Sequence, residues 1–360
     1  MTTAPPPVVG PSPVAAGGRA GRVPARFVPV LVTFGLFVAL FAVGGLRYEA
    51  FASGQVLLNL LIDNAFLVVL AVGMTFVILT GGIDLSVGSV VALSTMVTAA
   101  MLRAGWSAPV VIVAVLAGGA LFGLAMGAVI HYLEIQPFIV TLAGLFLARG
   151  LCYLIDLSSI PITDPLFRDL SQTAIPLGED MFLTPSVLVA LAAVAVGAYV
   201  LHLTRFGRTV YAVGGNQQSA LLMGLGVGRA RVGVYVISGF CSALGGLLFS
   251  VYLLSGYSLN AVGMELDAIA AVVIGGTLLT GGSGYVLGSL LGVLVLGTVQ
   301  TIISFEGTLS TWWVKIVIGL LLLAFVVLQR ILAVGPRRRR APAPAPSAPA
   351  GRTDPPQGDG

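Results

Sequence analysis

Asp84 lies in a long apolar stretch, GMTFVILTGGIDLSVGS over residues 73–89, with hydroxyls at Thr75, Thr80, Ser86 and Ser89 around it and the amide of Asn64 upstream. A carboxylate in hydrocarbon is costly unless it faces a cavity, a partner or an interface. The Gly81-Gly82 pair breaks one helix, and Asp84 is placed to cap the next by accepting from its free N–H groups. Two compatible readings follow: a cap in a tight turn, or a broken helix lining a solute path. Glu265 and Asp267 open a second segment of this kind, ELDAIAAVVIGG over 265–276. Acids at a helix start are favoured by its dipole; meeting a solute's hydroxyls or an external partner is the alternative. Arg149, within LARG at 147–150, is near Asp156 in sequence and is expected to form a structural ion pair or to snorkel.

Enzymatic chemistry is poorly supplied. No GxxxxGK[ST] occurs and the single lysine, Lys315, follows Val314, so the chain has no P-loop for nucleotide phosphates. Any ATP drive must come from a separate subunit. The string GGSG at 281–284 matches the GxSG around the nucleophile of intramembrane serine proteases, whose chemistry needs a base within reach. The two histidines, His131 and His202, fall at predicted helix ends on the same side as Ser283, so placement alone leaves that reading open. Against it, the equivalent position in the internal repeat described below is Ile83, which has no hydroxyl. Two histidines and two cysteines, Cys152 and Cys241, make neither a zinc set nor a disulfide framework. No catalytic residue, metal ligand or cofactor is assigned.

The elements that position these residues are set by composition. Of 360 residues 57% are apolar and 9% charged, and the mean hydropathy is +1.04. A soluble domain carries roughly 25% charged residues, so the solvent of this chain is lipid. About ten apolar runs stand out: 27–46, 56–80, 84–102, 108–131, 137–155, 184–203, 231–255, 264–280, 285–304 and 312–333. A hydrocarbon core of ~30 Å requires about twenty helical residues, which most runs reach. Closed barrels need short alternating segments, which are absent. The expected fold is all-α: a polytopic bundle of about ten transmembrane helices, with Gly-broken helices and an internal repeat. The first run reads as a retained anchor, not a cleaved signal. Residues 1–26 and 336–360 are expected to be disordered tails flanking a transmembrane domain over 27–335. Arg337–Arg340 form a basic clamp for anionic lipid headgroups. The pI of 9.3 reads as membrane-surface charge, with no nucleic-acid footprint.

Arginine placement sets an orientation. With residues 1–26 in the cytoplasm, ten spans return the C-terminus there. The loop 204–230, with Arg205, Arg208 and Arg229, also falls inside, and Arg231 stands at its edge. The loop 156–183 falls outside, with Asp156, Asp164, Asp169, Glu179 and Asp180 against Arg168. Laid on itself at an offset of 200, LTGG at 79–82 recurs at 279–282, and Gly88-Ser89 recurs as Gly288-Ser289: six identities in eleven positions. Repeated Gly-interrupted segments in two halves mark a solute path, and the helix count makes the two run in the same direction. Within the inner loop, QQSALLMG over 217–224 reads as a short, partly apolar helix: a docking knob for another protein, or a segment lying on the membrane surface.

Together, segments 73–89, 136–150 (QPFIVTLAGLFLARG), 204–216 and 265–284 strongly resemble permease subunits of bacterial ABC importers for ribose and related monosaccharides. The resemblance covers about residues 30–335 and is closest to a galactofuranose importer permease. It implies a two-permease core, homo- or heterodimeric, and a pair of cytoplasmic ATPase subunits that bind ATP and Mg. It also implies a periplasmic or lipid-anchored sugar-binding protein. ABC permeases carry an EAAxxxG coupling helix that sits in a cleft of the ATPase. Here Gln218, Ser219, Ala220 and Gly224 align with it: Ala220 and Gly224 are kept, while Gln and Ser replace Glu and the first Ala. The coupling assignment thus covers Gly214, Gly215, Asn216, Gln218, Ser219, Ala220 and Gly224. Asn64, Thr75, Thr80, Asp84, Ser86, Ser89, Glu265 and Asp267 are the candidate solute path. A permease for branched-chain amino acids or another polar solute shares this architecture. An ion-coupled secondary transporter would offer only Asp84 as an ion site.

Overall fold

The ten apolar runs become helices in the computed structural model, which describes residues 28–333 apart from 179, 309 and 311. The tails at 1–26 and 336–360, Arg337–Arg340 and Glu179 lie outside the described residues. In chain order the helices are α1 (Val28–Arg47), α2 (Gly54–Leu79), α3 (Val87–Arg103), α4 (Ala108–Tyr132), α5 (Pro137–Ile155), α6 (Pro165–Gln172) and α7 (Pro185–Leu203). After these come α8 (Arg205–Gly215), α9 (Gln217–Leu222), α10 (Val227–Leu253), α11 (Met264–Ile274), α12 (Val286–Glu306) and α13 (Trp312–Ala333). Eight of them, α1, α2, α4, α5, α7, α10, α12 and α13, are long and apolar enough to cross a membrane. The chain is an all-α, multi-pass membrane protein.

The other two runs give the broken helices. α3 has 17 residues and α11 only 11. The run 264–280, expected as a full span, is therefore corrected to a half-helix ending at Ile274. Its remainder is irregular because Gly276, Gly281 and Gly282 adopt φ of +91°, +84° and +76°, a region that glycine enters without steric cost.

Local signals fix many helix starts. Proline stands in the first turn of α4, α5, α6 and α7, where its missing N–H costs nothing. Ser53, Asp164, Thr204 and Asn216 cap α2, α6, α8 and α9 with their side-chain oxygens. The centre of the bundle is α2 and α10, which pack on each other and on α3, α4, α11 and α12.

Two faces close the bundle. On one, Arg47 pairs with Glu306 and Arg103 with Asp156. The same face carries α6 and two short antiparallel pairs: β1 (Ile160–Pro161) with β4 (Ser255–Gly256), and β2 (Ile175–Pro176) with β3 (Phe182–Leu183). The opposite face carries α8, α9 and the start of α10. The inner loop expected over 204–230 is thus mostly helical.

Candidate functional site

The first broken turn leaves α2 through Thr80, whose hydroxyl donates to Val77 O at 2.8 Å. Gly81 follows at φ +79°. Asp84 is 3% exposed and is fully engaged. One carboxylate oxygen accepts from the Ser86 N–H at 3.0 Å and the Ser86 hydroxyl at 2.6 Å; the other accepts from the Ser238 hydroxyl at 2.7 Å. Three donors are what a buried carboxylate requires. The helix N-cap is Ser86, which makes no side-chain cap bond. Asp84 therefore braces the turn from two residues upstream and ties it to α10, instead of capping α3 directly. The Tyr235 hydroxyl closes the other side: a methyl group at Gly82 would lie 2.5 Å from it.

The second turn meets the first. Gly282 N donates to Leu79 O at 2.9 Å, and the hydroxyls of Thr75 and Ser289 are 2.7 Å apart. α2 and α11 both run away from the ion-paired face, so the two copies run in the same direction, as the helix count implies. Glu265 in the first turn of α11 lies against the first turn of α3: a methyl at Gly88 would come within 2.2 Å of its Oε2, an oxygen that is buried without a hydrogen-bond partner. Two helix N-termini thus converge on one carboxylate inside the bundle, an arrangement the dipoles favour. Asp267 pairs with Lys315. Arg149 does not pair with Asp156, which is taken by Arg103. Its guanidinium donates to Ser258 O at 2.5 Å and Asn260 O at 2.8 Å, holding the strand of chain that leads into α11. Of the two expectations, an ion pair or snorkelling, the ion pair fails because Asp156 ends α5 and turns toward α3.

The remaining path candidates divide. Asn64 donates to Leu60 O and packs on Gly297, and Thr75 donates to Ala71 O. Both serve helix contacts. Ser89 is fully buried, and its hydroxyl has no partner among the described residues. No hydrogen bond joins Ser283 to His131 or His202, and no group of three metal-ligating side chains occurs among the described residues.

The second region is α8–α9. Gly214 packs backbone to backbone on both broken turns, since a methyl there would lie 1.7 Å from Leu79 O and 2.5 Å from Gly282 N. Gly215 N lies against Gly282, and Tyr211 donates to Gly284 O at 2.6 Å. Asn216 accepts from Ser219 N at 2.8 Å and starts α9. Gly224, at φ +73°, ends it, with Leu225 N returning to Ala220 O. Ala220 is buried with Val213, Val227 and Ala230, whereas Gln218 and Ser219 are exposed. Leu221, Leu222 and Met223 are 64%, 88% and 67% exposed. The exposed face of α9 is therefore this apolar triplet, with Ala220 buried beneath it. Sequence reasoning missed Ser238 and Tyr235, which share no motif with Asp84.

No solved structure matches the chain. Three relatives align over most of it. The inner membrane ABC transporter permease protein YjfF of Escherichia coli is 48% identical over 86% of this chain and 94% of its own length. The fructose import permease protein FruG of Bifidobacterium longum is 41% identical over 86% and 93%. The ribose import permease protein RbsC of Haemophilus influenzae is 36% identical over 85% and 95%. A family profile matches residues 56–326, from the start of α2 into α13 and across both broken turns. The chain therefore belongs to the family described as branched-chain amino acid transport system / permease component.

Proposed function

We propose that this chain is the membrane-spanning subunit of an ABC importer that carries a monosaccharide of the galactofuranose or ribose class inward. It pairs with a second permease and is driven by a cytoplasmic ATPase pair that binds ATP and Mg. A periplasmic or lipid-anchored sugar-binding protein loads it, and lipid surrounds it. Both termini and residues 204–230 face the cytoplasm, following the arginine bias. The observation that carries the reading is the continuous contact from the exposed Leu221–Met223 knob through Gly214 to both broken turns. A push on α9 has a direct route to the elements that interrupt the membrane. The names of FruG and RbsC support a sugar as cargo. The ATPase supplies the energy, so the path needs only weak contacts to solute hydroxyls, for which Ser89 and Glu265, whose buried oxygens have no partner among the described residues, are the candidates.

Uptake of radiolabelled galactofuranose, ribose and fructose by cells expressing the chain with its neighbouring ATPase and binding protein tests the cargo. Replacing Ala220 or Gly224 with a bulky residue is expected to abolish uptake while membrane insertion persists; surviving uptake removes the coupling role. Labelling 204–230 from the periplasmic side of intact cells would reverse the orientation. A second reading, import of a branched-chain amino acid, is favoured by the family's description. Leucine uptake with no sugar uptake would establish it.

A further inference from the structure

Solute import leaves one feature of the bundle wall unused. Between α7 and α10, floored by α2 and α4, lies a cavity of about 550 Å³ lined by Val72, Phe76, Val189, Val196, Val200 and Phe240 among others. Cys241 supplies the sole side-chain heteroatom of its wall. It opens laterally: Val196 is 61% and Phe240 41% exposed. Any groove at this depth in a membrane protein is filled by something apolar, and three observations select what.

The first is length. Val189 lies fourteen residues above Leu203, where the chain turns into α8, which is about 21 Å of helix. Half of a bilayer of about 40–45 Å, headgroups included, is the same distance. The second is closure at the far end. There α6 lies over the crevice, with Leu170 and Ser171 sharing a separate cavity with Thr184, just before α7, Ser186 of α7 and Tyr252 of α10. A membrane-crossing helix has no room to run the whole length. The third is charge. At the α8 end, residues 204–231 carry four arginines and no acid. Arg205 and Arg208 are exposed, and neither takes part in an ion pair among the described residues. Phe206 between them packs on Phe76, a groove residue, with ring centroids 6.4 Å apart, and against Gly233 of α10. The arginine-bearing turn is thus fixed at the groove's mouth.

We infer that this groove holds one acyl chain of an anionic phospholipid from the leaflet on the α8 side, with its phosphate against Arg205 and Arg208. The lipid would wedge between α7 and α10 directly beneath α8. The site is independent of which solute is carried.

The test uses the full chain purified in detergent with equal amounts of dioleoyl phosphatidylglycerol and dioleoyl phosphatidylcholine, with retained lipid counted by native mass spectrometry. The unaltered chain is expected to keep about one phosphatidylglycerol, in roughly thirtyfold preference over phosphatidylcholine, the effect of two basic contacts. The double variant Arg205→Ala, Arg208→Ala should lose the preference, and the matching lysine pair should keep it. Val196→Trp, which fills the mouth from an exposed position, should displace both lipids. Equal retention of the two lipids by the unaltered chain overturns the inference, as does retention unchanged in both the alanine and tryptophan variants. Disulfide crosslinking of two chains through Val196→Cys in membranes also overturns it, because a second copy would then lie in the groove.

Discussion

The two broken turns share the sequence LTGG and are built differently. The turn over 80–86 carries Asp84, which binds it to Ser238 of α10, and Tyr235 closes over Gly82. The turn over 275–285 has Gly284 where the first has Asp84, and so has no such side-chain anchor. It is held by Leu79 O, by Tyr211 of α8 and by backbone contact with Gly214 and Gly215. One copy is fastened to the core of the bundle; the other is fastened to the segment that carries the exposed knob. Both turns touch Gly214, but only the first is also tied by a side chain to α10.

Substitutions can break that contrast, beginning with the largest effect. Gly214→Val places a side chain into both turns, against backbone that cannot yield, so uptake should fall to background, and thermal unfolding should show marked destabilisation as well. Leu222→Asp alters an 88% exposed residue, so stability should stay within about 0.5 kcal/mol. Uptake should nevertheless drop at least tenfold, and ATPase co-purification should be lost. Normal uptake by this variant would remove the proposed coupling role of α9. Asp84→Ala leaves the hydroxyls of Ser86 and Ser238 without their acceptor, and should cost about 2–3 kcal/mol in denaturant unfolding. Ser238→Ala removes one of three donors and should cost about 1 kcal/mol. If the two variants cost the same, the anchor runs wholly through α10.

The smallest effect lies on the opposite face. The Ser158 N–H and the Arg103 guanidinium hold the Asp156 carboxyl below its ordinary range. A depressed carboxyl contributes stability above its unfolded value and loses it as pH falls through the folded one. Acidifying below about pH 4 should therefore remove a slight stabilisation in the native chain and none in Asp156→Asn. A thermal-shift series across pH reads the difference.

The membrane class, the ten apolar runs, the break at Gly81-Gly82 and the repeat were all legible in residue order. Each depends on hydropathy, on helix length against bilayer thickness, or on the backbone freedom of glycine, and those are local properties. Asp84 was legible as a residue that needs partners, because the cost of a bare carboxylate holds anywhere in an apolar chain. Which partners it has was not. Ser238 is 154 positions away, and only the packing of α10 on the turn brings it within reach. Arg149 shows the same limit from the other side: the acid nearest in sequence was not its partner, because helix direction decides which face a side chain meets. Tertiary structure alone also chose the face of α9, burying Ala220 and turning Leu221, Leu222 and Met223 outward. On a six-residue helix the choice of face is made by what it packs on, and the sequence by itself does not contain that surface.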